Sequence, residues 1–523
     1  MGGLRQNHGP GFRASQLAAV WRDWRPALIA TLVYLLLCML KSGPVELFTG
    51  SRWHGWFDQG QYLRSTLALA QGDLSPDNHW YPLLYPLLAV PFVPLMPGNP
   101  YLPLDLICVA VMVRALIRVA AHLGIGQRAA LIVLLLSIAW PPQLWQAWVQ
   151  PWTTTLSAAL LWWLMARAGD LTLGETPVRP RDVAGFVFVA ALVPLARPAD
   201  IIVPAILCLF LAALLARRGA LSWRHVAAAL AAAAVPILGY VALHMSIYGA
   251  ALSDYTQLSV EIGTRFSDLG WKMSILFVDP SPWFPRGTGL FTRIPWIALG
   301  LAGSLFVLLR GTGTPRHRGY AACLLTAAVS YSLVLAAYID LLPTGLWRFN
   351  GLHYFKWILP LLGLMAWLLI RDARAAPGSA IATLAAAFLL TGLRLVAVPA
   401  GADEAARRID VIAPPRADWN VVYFARSATV DPTGSMRNVF EYRQVPDGGP
   451  DGGQVRLLAL RRNFAPGAKW VPNGIAGLDW PAGGPGTSAP FAPPGPVAPV
   501  ARWKAQLAWG PPCWLGTCRA QPL

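Results

Sequence analysis

Apolar residues run in long blocks along this chain, separated by short polar connections, many of them bearing proline. Blocks long enough to cross the hydrocarbon core of a bilayer fall near 26–41, 104–121, 129–146, 152–167, 183–196, 199–216, 226–247, 289–309, 319–341, 353–370 and 378–399. This spacing predicts an all-α polytopic membrane protein with about eleven transmembrane helices. One further apolar stretch, 81–97, carries Pro82, Pro86, Pro91, Pro94 and Pro97. Each internal proline removes a backbone hydrogen bond and strains the preceding turn, so a re-entrant or short helix is expected there. The rival is a kinked true span, which would invert everything after it or demand another missed segment.

Arginine and lysine orient the blocks. The N-terminus and the connections at 114–128, 167–181, 217–224, 310–318 and 371–374 are basic and fall on alternate loops, so all of them can be cytoplasmic at once if 81–97 does not cross. The expected location is a bacterial inner membrane, with the N-terminus cytoplasmic and the C-terminus external. Arg5, Arg13, Arg22 and Arg25 before an apolar run resemble the front of a signal peptide, but Lys41-Ser42-Gly43-Pro44-Val45-Glu46 offers no small-residue cleavage site. The run reads as an uncleaved first span.

Composition agrees with the pattern. Of 523 residues, 55% are hydrophobic and only 13% charged, and the mean hydropathy is +0.47, too apolar for a soluble domain. The net charge of +17 would point to nucleic acid in a soluble protein. Here the basic residues cluster in short loops, so they read as topology signals and headgroup contacts, with no nucleic-acid partner. Cys38, Cys108, Cys208 and Cys323 lie in apolar runs and behave as small hydrophobes. Cys513 and Cys518 stand apart in the tail, either paired or as two free thiols. The domain reading is a cytoplasmic segment 1–25, a membrane domain 26–399 with an external loop 41–81, and an external appendage 400–523. The appendage has strand-like pieces at 420–425, 438–443 and 454–460, then a Gly/Pro-rich stretch at 465–499.

Several classes are disfavoured. No internal repeat is evident, which weakens a secondary-transporter reading. Gly124-Ile125-Gly126-Gln127-Arg128-Ala129 partly matches a dinucleotide fingerprint, but its flanks are bilayer helices. His-Glu-x-x-His, P-loop and Gly-x-Ser-x-Gly patterns are absent from the sequence.

The first external loop carries the most specific pattern. It places an acid in Phe57-Asp58-Gln59-Gly60-Gln61-Tyr62-Leu63, continues as an amphipathic segment and returns through Tyr81-Pro82-Leu83-Leu84-Tyr85-Pro86. Over about 53–94 this resembles the GT-C superfamily of integral membrane glycosyltransferases. The bacterial members that use polyprenyl-phosphate sugars, including the protein-mannosyltransferase and aminoarabinose-transferase relatives, are the most similar in feel. The resemblance implies a GT-C-like fold and direct, inverting transfer of a sugar from a polyprenyl-phosphate donor to a glycan, lipid or protein acceptor on the outer face, with Asp58 as base. Many relatives carry two adjacent acids in this loop, whereas Phe57 and Gln59 flank Asp58 here. That departure leaves dependence on a divalent ion, Mg or Mn, open.

The chemistry has its own requirements. An alcohol is a poor nucleophile until its proton begins to leave, which calls for a base such as Asp58. The departing phosphate gains charge, which calls for a cation, and Arg64, Arg197, Arg348 and Lys356 are the candidates. Each has a plainer reading. Asp58 can be a helix N-cap. Arg64 sits six residues on, about 240° around a helix, and can snorkel to headgroups. Arg197 can pair with Asp200 at i,i+3. The cluster from Trp347 to Trp357, with Arg348, His353, Tyr354 and Lys356, can be an interfacial belt or a mouth for the polyprenyl phosphate. Tyr62, His79, Tyr81 and Tyr85 are further candidates for touching substrate, and Thr153, Thr154 and Thr155 either meet sugar hydroxyls or bond back into their own helix. The competing functions are a transporter or flippase of a lipid-linked saccharide and a lipid-linked oligosaccharide polymerase or ligase.

Overall fold

The computed structural model describes the chain from Pro10 to Ala373 apart from 50–56, 140–141, 311–313, 339–350 and most of 254–289. Beyond 373 it describes a few helical residues up to 389 and short strands between Ile409 and Val471. The described part of the membrane domain is helical almost throughout. Three of its helices are both long and apolar enough to cross a bilayer: Pro198–Arg217, Trp223–Tyr248 and Pro315–Ala337, with mean hydropathies of 2.5, 2.2 and 1.8. Shorter apolar helices occupy Trp24–Leu40, Gln127–Ile138 and Pro295–Leu309.

The Trp223–Tyr248 helix identifies its solvent. Leu230, Val235 and Leu238 are each about two-thirds exposed, and in water each would forfeit much of the roughly 1.5–3 kcal/mol that burial of such a side chain provides. Lipid removes that cost, so a membrane protein is the consistent reading.

Proline explains where the helices depart from the apolar blocks. The block at 129–146 is two helices, Gln127–Ala139 and Pro142–Val149, because a proline clashes with the turn before it and disfavours helical geometry at the residue it follows. The block at 289–309 divides the same way at Pro295, into Leu290–Arg293 and Pro295–Arg310. The block at 353–370 starts late: Gly351–Phe355 is a 3-10 turn and the α-helix runs Ile358–Ala373. The last block, 378–399, lies largely outside the described residues. In 81–97 the helix Leu84–Ala89 is followed by a 3-10 turn, Val90–Phe92; six residues rise roughly 9 Å, far short of a ~30 Å hydrocarbon core.

The helix Tyr101–His122 is central, packing against both Pro10–Ser42 and Thr153–Leu173. A second pair, Pro295–Arg310 and Ile358–Ala373, is held at close range by small residues. A Cβ on Gly300 would come 2.7 Å from the Leu362 carbonyl oxygen, and one on Gly303 would run into the Met365 backbone. Close backbone approach through small residues is how apolar helices associate in lipid, where burial alone gives no drive. The pair fixes the start of Ile358–Ala373 and hence the turn carrying His353 and Lys356. Beyond residue 400, Ile409–Val411 pairs antiparallel with Asn420–Tyr423, which pairs with Val439–Tyr442; Leu460–Arg461 pairs with Trp470–Val471.

Candidate functional site

Asp58 opens the helix Phe57–Gln71 as its first-turn acid, where a carboxylate suits the positive end of the helix dipole. It is half-buried and accepts a hydrogen bond from the Tyr81 hydroxyl. Burial first, and then the Asp58 charge, push the Tyr81 hydroxyl well above its ordinary pKa, so it remains a donor. The Tyr81 ring lies 4.9 Å from Tyr62 and 5.0 Å from Tyr255. Tyr255 is within electrostatic reach of both Asp58 and Arg197, and Tyr62 of both Asp58 and Tyr354. Tyr255 is therefore an electrostatic neighbour common to the acid and the guanidinium.

Tyr85 has other partners. It is fully buried, stacks on Tyr101 at 4.5 Å and donates to Asp105 at 3.0 Å. His79 and Arg64 brace the loop that leads to Tyr81. A backbone carbonyl only accepts, so at 2.9 Å His79 Nε2 donates to the Asp73 oxygen, and in the neutral ring Nδ1 then accepts from the Ser65 hydroxyl at 2.8 Å. Arg64 Nε donates to Asn78 Oδ1 at 2.7 Å, and Asn78 Nδ2 donates in turn to the Asp73 carboxylate at 2.6 Å. The Tyr248 hydroxyl closes the brace on the His79 carbonyl. The sequence offered these two residues as substrate contacts; each is hydrogen-bonded within the loop.

The cations sit deeper. Arg197 caps the helix Pro180–Ala196 and lies 3.2 Å from Asp200, the anticipated i,i+3 pair. Its guanidinium also donates to the Tyr331 hydroxyl at 3.3 Å and lies over the Tyr354 ring at 4.6 Å. Asp200 is 1% exposed and accepts from Ser157. Lys356, also 1% exposed, donates to Thr155 Oγ1 at 2.8 Å and overlies Trp148 at 5.7 Å. His353 stacks on Trp152 at 3.8 Å, with Thr154 Oγ1 3.3 Å from its Nδ1. Two of the three threonines bond outside their own helix: Thr154 and Thr155 reach across to the 351–356 turn. Arg348, Cys513 and Cys518 lie outside the described residues.

Four members were missed. Asp105, buried at the start of Tyr101–His122, lies within electrostatic reach of Lys356; a lone carboxylate inside an apolar block was the signal. Gln59 is buried beside Asp58, with Nε2 donating to the Pro151 carbonyl at 3.2 Å and, among the described residues, no partner for Oε1. Tyr255 and Tyr331 gave no local signal. Among the described residues no group of three or more His, Cys, Asp or Glu is arranged to hold a metal ion. No protein-family model, characterised protein or solved structure matches the chain.

Proposed function

We propose that this protein is an integral membrane glycosyltransferase of the GT-C type, threading the bilayer about eleven times and working on the outer face. It transfers a sugar from a polyprenyl-phosphate carrier to a hydroxyl of a glycan, lipid or protein. The acceptor oxygen bonds to the anomeric carbon from the side opposite the phosphate, the carbon–oxygen bond to phosphate breaks with its electron pair on the phosphate, and Asp58 takes the acceptor's proton. Arg197 and Lys356 supply the positive potential toward which the phosphate charge develops. The tyrosines that neighbour the acid, of which Tyr255 also neighbours Arg197, offer flat apolar faces to a sugar ring.

The observation that carries the reading is that Asp58 is half-exposed, held by Tyr81, and shares Tyr255 as an electrostatic neighbour with Arg197. A base must reach water and substrate, and a leaving-group cation must stand on the far side of the same sugar. In proteoliposomes given radiolabelled polyprenyl-phosphate sugar and membrane acceptors, the protein is expected to make a covalent product, and Asp58→Asn to insert normally but lose transfer. Normal turnover by the expression-matched variant would refute the assignment.

One observation favours a second reading, a transporter or flippase of a lipid-linked saccharide: Arg197, Asp200, Lys356 and Asp105 are charges buried within the helical domain, where ionisable groups commonly mark a transport path. Movement of the labelled lipid between leaflets with no covalent product would select it.

A further inference from the structure

The helices Pro10–Ser42, Tyr101–His122 and Gln127–Ala139 enclose a groove of about 460 Å3 whose lining includes none of the residues around Asp58. Two walls run lengthwise, one from Pro26 to Leu37 and the other from Gln127 to Ile138. Each spans eleven residue steps, roughly 16 Å at 1.5 Å per step, which is about half of a ~30 Å hydrocarbon core and so the depth of one leaflet. Apart from Gln127 and Tyr34, the described lining along that length is aliphatic. It opens laterally where Ile29 and Leu135, 52% and 50% exposed, form its lips.

Its ends differ. Arg25 and Gln127 begin the two walls, and they share one end of the bundle. The 123–126 turn joins Tyr101–His122 to Gln127–Ala139, while Arg114, on the same half of its helix, lies over the Trp24 ring at 4.5 Å. Among the described residues, Arg25 is the one charged side chain that lines the groove. The far end is closed by Trp148, whose carbonyl accepts from the Tyr34 hydroxyl at 2.8 Å. A cationic mouth above a closed aliphatic trough one leaflet deep complements a molecule with an anionic head and a single long chain per slot.

We infer that this groove binds an anionic phospholipid from the leaflet on the Arg25 side, with its phosphate at Arg25 and Gln127 and one acyl chain running to Trp148. The site lies outside the proposed transfer chemistry and does not depend on it. It touches the cation cluster at one point: the chain packs against the same indole that Lys356 overlies, so a seated lipid supports the floor beneath Lys356.

The test is native mass spectrometry of the full-length protein released from vesicles of phosphatidylglycerol and phosphatidylcholine in equal parts. Wild type is expected to retain one phosphatidylglycerol, preferred roughly fivefold for the single arginine at the mouth. Arg25→Gln, at an exposed position, should keep a lipid but lose the preference. Ala30→Phe, which fills the trough, should lose the retained lipid while remaining monodisperse; if it does not fold, Val33→Phe makes the same demand from the same wall. Wild type that retains no lipid, an Arg25→Gln protein that keeps the preference, or a filled trough that retains lipid as well as wild type would each overturn the site.

Discussion

Asp58 and Asp200 are both aspartates in the first turn of a helical segment, yet the structure treats them oppositely. Asp58 stays half-exposed and takes its donor from a tyrosine hydroxyl; Asp200 is sealed, between Ser157 and the Arg197 guanidinium. A carboxylate that reaches solvent can exchange a proton during a reaction. One enclosed with a guanidinium serves as counter-ion, because losing its charge would strand the arginine in a medium that solvates it poorly. Under the proposed function the acid half carries the chemistry, and the cation half is first a structural unit and only then an electrostatic one.

The largest expected effect breaks the comparison from the acid side. Removing a general base typically costs about 100- to 10,000-fold in rate, so Asp58→Asn should fall in that range in the proteoliposome transfer assay with an unchanged thermal transition. The counterpart, Asp200→Asn, should do the reverse in kind. It leaves Arg197 buried without its ion partner, a change that costs about 3–5 kcal/mol, read as a lowered Tm of the detergent-solubilised protein. An Asp200→Asn protein with wild-type Tm but no transfer would mean that Asp200 belongs to the chemistry, and the division between the halves would be wrong.

A smaller effect sharpens the comparison. Tyr81→Phe keeps the ring between Tyr62 and Tyr255 but deletes the hydroxyl that Asp58 accepts from. A hydrogen bond to a charged group contributes about 1.5–3 kcal/mol, so transfer should drop roughly 10- to 100-fold, less than for Asp58→Asn. Full activity in Tyr81→Phe would show that Asp58 is oriented by something else.

The helical membrane class was legible because apolar blocks and lipid-length helices follow from the same composition. The acid's setting was legible too, since Asp58, Tyr62 and Tyr81 fall within one stretch of loop and helix. Two kinds of information were not. Helix ends inside the blocks at 129–146 and 289–309 were set by Pro142 and Pro295, local signals that a hydropathy average dilutes. The partners of the cations lie far along the chain: Lys356 meets Thr155 across 201 residues, and Arg197 meets Tyr331 across 134. Periodicity along a sequence does not record which helices become neighbours. For the same reason Asp105, visible as an isolated charge in an apolar block, could not be assigned to Lys356 before the fold was known.

The smallest effect concerns the brace of the loop before Tyr81, within the acid half, and needs no knowledge of the substrate. The Asp73 carboxylate accepts from the Ser75 backbone at 2.8 Å and from Asn78, and these bonds, led by those to Ser75, hold its pKa below the ordinary carboxylate value. With the folded pKa depressed, the loop's stabilisation is fully present above the unfolded pKa and is lost as pH falls through the folded one. Hydrogen exchange across 72–80 should therefore be slow and flat from neutral pH down to the usual carboxylate range and rise only below it, once the intrinsic pH dependence of exchange is removed. Asp73→Ala should show the faster exchange already at neutral pH, where wild type is still protected, while leaving the Tm close to that of wild type. Because the brace ends two residues before Tyr81, the same variant should also lower transfer, by less than Tyr81→Phe does. If exchange across 72–80 is unmoved by either acid or the substitution, His79 and Arg64 are not held there for positioning, and their role as direct substrate contacts returns as the better account.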